Sequence, residues 1–165
     1  MKKLTLFAVV LLALPLPAVA QQQESPLAMT VQNVTADAEA AAGNPRQSAE
    51  ARPTDVLRYR ITFTNRTDAP VRDVVLSDDI PQALQLVGGS ARSSGEDVQV
   101  EYSADGGATW AAEPMEEVTV DGRRVRRPIP PERFTNVRWT IRGSVQPRAT
   151  VTAEYDTRFR PAAAQ

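Results

Sequence analysis

The segment whose residue types and spacing come closest to a defined piece of chemistry is Ser103-Ala104-Asp105-Gly106-Gly107-Ala108-Thr109-Trp110, which fits the pattern S-x-D-x-G-x-T-W without a mismatch. The roles these residues suit are structural. The Ser103 and Asp105 oxygens accept bonds from turn amides, Gly107 permits a positive φ, and Trp110 packs beneath a hairpin. Asp78-Asp79 and Glu116-Glu117 are paired carboxylates. Glycoside hydrolysis needs two carboxyls facing one cleft, about 5 to 10 Å apart, whereas neighbours in a strand point to opposite faces. These pairs are therefore expected on solvated surface. Arg123, Arg124, Arg126, Arg127 and Arg133, threaded with Pro128, Pro130 and Pro131, form the best interaction candidate. In extended backbone the guanidinium groups splay outward, where they suit carboxylates, phosphates or sulfated glycans. The competing expectation is a solvated loop balanced by Glu113, Glu116 and Glu117. No aromatic residue interleaves the arginines, so a nucleic-acid surface is not expected.

Composition narrows the chemistry further. The chain has no His and no Cys, and its only lysines are Lys2 and Lys3. Imidazole acid/base work, thiol nucleophiles, Schiff bases and most zinc sites thus have no residues to use beyond the first few positions. No catalytic residue, metal site or cofactor is expected. Beyond residue 20, 17 arginines face 20 acidic residues, a net charge of −3. That balance exerts no general pull toward nucleic acid or anionic lipid.

Lys2 and Lys3, the apolar run 4–16 and the small residues Ala18-Val19-Ala20 have the layout of a secretory signal peptide. Pro15 and Pro17 interrupt the run, and Gln21-Gln22-Gln23-Glu24 ends it, short of the roughly 20 apolar residues of a membrane span. The expected organisation is a signal peptide at 1–20, a polar leader at 21–26, one domain at 27–160 and a disordered tail at 161–165. The product is expected outside the cytoplasm, periplasmic or extracellular, with no membrane span after cleavage.

Within the domain the dominant period is two. Leu57, Tyr59, Ile61 and Phe63 alternate with Arg58, Arg60, Thr62 and Thr64, which predicts a half-buried strand over 56–65. Further strands are predicted around Ala28 to Val34, at 71–78 with Val74 and Leu76 inward, at Leu84 to Val87, at Val98 to Tyr102, at Val118 to Val120, at Val137 to Ile141 and from Val151 to Phe159. Residues 35–53 lack large apolar side chains and read as a long exposed loop, with at most a helical turn at 37–42. Residues 123–132 read as extended and exposed. About seven or eight short strands without a helical period define an all-β class, an immunoglobulin-like antiparallel β-sandwich. Asp55, Asn65 and Asp78 stand at strand ends, where short polar side chains bond turn backbone.

The run Pro53-Thr54-Asp55-Val56-Leu57-Arg58-Tyr59-Arg60-Ile61-Thr62-Phe63-Thr64-Asn65, with Val74-Val75-Leu76-Ser77-Asp78-Asp79-Ile80-Pro81, resembles the conserved repeat domain of bacterial and archaeal surface proteins, the eleventh catalogued domain of unknown function. Trp139 ahead of Pro147, and Thr150-Val151-Thr152-Ala153-Glu154-Tyr155 after it, are similar to that family's closing strands. The resemblance implies an immunoglobulin-like sandwich of exported or surface proteins without an established enzymatic activity. Thr54 and Arg148 stand where the family usually has Gly, so those turns are expected to depart from its shape. The octapeptide from Ser103 resembles the Asp-box hairpins of sialidase-type propellers. In families that carry it the box lies away from the active site, and a propeller needs several blades. One small domain cannot supply them.

These features together lead to an expected function: a non-enzymatic structural or interaction module of the cell envelope, presenting loops and strand edges to a protein or polysaccharide. Two alternatives have distinct signatures. A concave site with two carboxyls would favour an accessory domain of a carbohydrate-active enzyme, or such an enzyme itself. An uncovered apolar edge strand would favour a periplasmic chaperone or assembly factor working by strand addition.

Overall fold

The computed structural model describes residues 25–161. The expected signal peptide, most of the polar leader and residues 162–165 lie outside the described residues. Among the described residues the fold is an all-β antiparallel sandwich whose two sheets hold eight strands, in keeping with the seven or eight expected, and a separate two-stranded sheet adds two more.

One sheet has the order β1 (Leu27–Asn33), β2 (Val56–Thr64), β10 (Thr150–Phe159) and β4 (Leu84–Leu86), with β5 (Arg92–Ser93) also on β10. The second has the order β3 (Val74–Asp79), β9 (Asn136–Ile141), β6 (Val98–Ser103). In the first, the register sets Tyr155 beside Tyr59, Ala153 beside Ile61 and Val151 beside Phe63 on the inner face. The same register brings Arg58 opposite Asp156 and Arg60 opposite Glu154 on the outer face. Arg58 Nε donates to Asp156 Oδ1 at 2.8 Å, and Arg60 pairs with Glu154. Alternation therefore sorts the apolar residues inward and leaves opposite charges facing each other across strands.

The second sheet repeats this in rows. Val74, Ile141 and Val98 form one row, Leu76, Trp139 and Val100 the next, and Asp78, Val137 and Tyr102 the third. Trp139 and Val137 have no exposed surface, and full burial of such side chains stabilises by about 1.5–3 kcal/mol each. Tyr155 stacks on Tyr59 with ring centroids 5.1 Å apart and tilts against Trp139 at 6.1 Å. Its hydroxyl crosses the interlayer gap to donate to Asp78 Oδ2 at 2.7 Å. Burial pushes the Asp78 carboxyl above its usual range, and the Tyr155 bond pulls the other way. Burial, reinforced by Asp78, raises the Tyr155 phenol far above its ordinary value, so the hydroxyl stays a donor.

Two segments depart from expectation. Where a loop was expected after β1, Val34–Ala41 forms a helix, α1. No residue of α1 is buried, so the apolar periodicity that marks most helices is missing; polar bonds hold it instead. Asn33 Oδ1 caps it by accepting from the Ala36 N–H at 3.0 Å. Arg46 forks onto Asp55 at 2.6 and 2.7 Å and reaches Glu39 of α1 at 2.5 and 3.0 Å. Asp55, fully buried, also accepts from Asn33 Nδ2 at 2.6 Å and from the Arg52 N–H at 2.8 Å. The second departure is Arg123–Pro128, which is a strand, β8, paired with β7 (Met115–Val120) in a separate two-stranded sheet. Arg148 takes a left-handed backbone with φ 63° in place of a glycine, anchored through its side chain to the Arg66 carbonyl at 3.0 Å and Asp68 at 2.8 Å; Thr54 does not.

Two outcomes test these contacts. Tyr155→Phe, which leaves a half-buried carboxylate oxygen without its donor, is expected to cost about 1–3 kcal/mol in urea unfolding. The Arg46 guanidinium, with help from Arg52 and Asn33, holds the Asp55 carboxyl well below the usual carboxylate range. Asp55 thus adds stability that is complete above the ordinary Asp pKa of about 3.9 and is lost as pH falls toward the depressed native value. Asp55→Asn is expected to lower the thermal midpoint at neutral pH and to flatten the pH dependence of stability below about pH 4, measured by calorimetry.

Candidate functional site

The Asp-box residues form the compact turn that their types dictate. Ser103 Oγ donates to Asp105 Oδ1 at 2.7 Å and accepts from the Gly107 N–H at 2.9 Å. The Asp105 carboxylate accepts from the Thr109 N–H at 2.9 Å and from Thr109 Oγ1 at 2.6 Å. Those Thr109 bonds, followed by the Ser103 hydroxyl, hold the Asp105 pKa at about 2. Gly107 has φ 84°, and a Cβ there would stand 3.5 Å from the Trp110 ring. Trp110 folds back toward the second sheet, whose Arg138 lies over its ring at 4.4 Å. Ala111 then makes an isolated bridge with Tyr102, so the expected return strand is a single pair rather than a ladder.

The arginine group is divided by strand alternation. In β8, Arg124 and Arg126 share a face with Thr119, Glu117 and Met115; Arg123 and Arg127 share the other with Val120, Glu116, Val118 and Val125. Asp121 (φ 50°) and Gly122 (φ 77°) close the hairpin with the two successive positive φ values of a type I′ turn. Glu116 accepts from Arg127 at 3.0 Å and from Arg133 at 2.5 Å. Arg133 lies in the 3₁₀ turn Pro131–Arg133, so this carboxylate fastens the arm to the sandwich. Arg123 and Arg124 sit exposed at the tip. The group expected as one interaction loop is therefore two faces and an anchor.

What the structure adds is a meeting of the two motifs. The Asp-box hairpin and the base of the β7–β8 arm enclose a cleft of about 400 Å³ that Tyr102, Asp105, Trp110, Glu113, Arg126 and Arg133 help to line. A second hollow of about 230 Å³ abuts it, sharing Tyr102, Glu113 and Ile129 and extending to Leu86 and Phe134. Tyr102 is stiffened by stacking on Phe134 at 4.9 Å. Arg126 and Glu113 have no side-chain partner among the described residues. Sequence reasoning identified Trp110 and the arginines separately; Glu113 and Tyr102 gave no local signal, because their role depends on which segments fold together.

Three carboxylates, Asp105, Glu113 and Glu116, help to line the cleft. Two of them, Asp105 and Glu116, are held below the usual carboxylate range, Glu116 by Arg133 and then Arg127. A glycosidase acid needs the opposite, a carboxyl kept protonated by its surroundings. Both shifts run the other way, so neither carboxyl is placed as that acid. The adjacent pairs behave as alternation requires: Asp78 reaches inward to Tyr155, while Asp79 turns outward to Asn136. No family model, curated protein or solved structure matches the chain.

The Thr109 amide reports directly on Asp105. Its NMR shift is expected to titrate with a midpoint of about 2, and a midpoint in the ordinary carboxylate range would show that the box is not closed in solution.

Proposed function

We propose that this protein is an exported, non-enzymatic β-sandwich of the cell envelope that binds a polysaccharide in the cleft between the Asp-box hairpin and the β7–β8 arm. The observation that carries the proposal is the joint lining of that cleft by aromatic rings and by polar groups with no internal partner. Trp110 and Tyr102 offer apolar ring surface of the kind sugars pack against, and Arg126 and Glu113 offer one donor set and one acceptor set. Two abutting hollows suit an extended polymer better than a single compact ligand. Neither Asp105 nor Glu116 has the raised pKa that a glycosidase acid needs. Export draws on the leader at 1–20, and an envelope location agrees with the surface-protein resemblance of 53–81 and 139–155. No helix among the described residues is long and apolar enough to cross a membrane.

Titration of the processed protein with soluble neutral and acidic polysaccharides, followed by calorimetry and tryptophan fluorescence, tests this. Trp110→Ala and Arg126→Ala are each expected to weaken binding about tenfold or more. The buried Trp139 keeps its emission in the first variant and so reports that the sandwich is intact. A panel without binding, or binding that both substitutions leave unchanged, overturns the proposal.

A further inference from the structure

β1 ends the five-stranded sheet, and among the described residues nothing pairs with its outer edge. The Thr64 N–H donates to the Pro26 carbonyl at 2.9 Å, which fixes the phase of the ladder. Ala28, Thr30 and Gln32 turn their backbone groups toward Thr62, Arg60 and Arg58, and Leu27, Met29 and Val31 turn theirs away. The Leu27 N–H is taken by Ser25 Oγ at 3.2 Å. Met29 and Val31 are left presenting both an N–H and a C=O outward.

The side chains on this edge are equally unpartnered. Leu27, Met29 and Val31 lie on the inner face beside Phe63, Ile61 and Tyr59, yet they are 50%, 52% and 53% exposed. The facing sheet is three strands wide and this one four, β4 and β5 sharing one edge of β10, and β1 overhangs it. Exposed edges are usually blunted by charge, proline or a bulge. The sequence of β1, Leu-Ala-Met-Thr-Val-Gln-Asn, contains no charge and no proline, and its register with β2 is unbroken.

We propose that β1 is a homodimer interface, pairing antiparallel with β1 of a second copy about a two-fold axis through Thr30. That axis sets Met29 opposite the partner's Val31 as a hydrogen-bonded pair, so every outward N–H and C=O of the two residues is satisfied. Ala28 comes opposite the partner's Gln32 on the polar face, and no like charges meet. The apolar residues of both copies merge into one strip on the inner side. A second copy is favoured over a foreign strand because the edge complements itself in backbone phase, side-chain pattern and charge at once, the property of an isologous interface. The uncovered apolar edge expected of a strand-adding assembly factor is thus present, with another copy of this chain as its occupant.

Sedimentation equilibrium of the full chain, purified as the cell processes it, over about 1 μM to about 1 mM tests the interface. Dimerisation is expected, weakened at least about tenfold by Met29→Lys and by Val31→Pro. Val31→Pro removes only an outward N–H and leaves the ladder to β2 intact. Circular dichroism confirms that both variants fold, their positions being exposed. A folded monomer throughout the range, including one that accepts a strand from another protein, overturns the proposal, as does a dimer that neither substitution affects.

Discussion

The rest of the structure depends on how one buried tyrosine joins two sheets. Tyr155 stands at the centre of the interlayer gap, stacked on Tyr59 of its own sheet and packed against Trp139 of the other. Ring packing alone is non-directional, and two apolar faces can slide over each other at small cost. The bond from the Tyr155 hydroxyl to Asp78 removes that freedom, because a half-buried carboxylate that loses its donor is costly. Asp78 belongs to the row that contains Val137 and Tyr102. Fixing Asp78 therefore also fixes where Tyr102, an aromatic wall of the cleft, emerges at the end of the second sheet.

From that fixed contact the unequal widths of the sheets have two consequences. On one side the broader sheet overhangs, and β1 keeps an apolar inner face that the opposing layer does not reach. On the other, the chain leaves β6 through the Asp-box turn and departs from both sheets as the β7–β8 arm, tied back through the Glu116–Arg133 pair and the turn before β9. A two-stranded hairpin alone is marginally stable in water. Its attachment at the base puts the Glu116–Arg133 ion pair in the wall of the cleft.

Charge placement follows a similar economy. Arginine is the sole basic residue type beyond Lys3, and its planar fork suits the paired geometries found here: Arg58 on Asp156, Arg46 on Asp55 and Glu39, Arg138 on Glu101. The Arg46 pair differs from the others in burial. It replaces the apolar contact that α1 lacks, so the helix depends on ionised carboxylates in a way that the sheets do not.

The sequence by itself determined the strands of the sandwich and the box. Alternation over 56–64, 74–79, 136–141 and 150–159 is a local property of the pleat, and the side-chain oxygens of Ser103 and Asp105 reach their amides within a few residues. It also settled that adjacent carboxylates would part, as Asp78 and Asp79 do. Only the tertiary structure decided the rest. α1 was hidden because its support comes from the polar residues Arg46 and Asp55, which lie outside the helix and leave no apolar period in it. The division of the five arginines required the pairing partner of β8, since register and not composition assigns faces. The cleft required two hairpins to meet, and the exposed flank of β1 required the width of the opposing sheet. Each of these is a relation between segments, and periodicity within one segment carries no record of it.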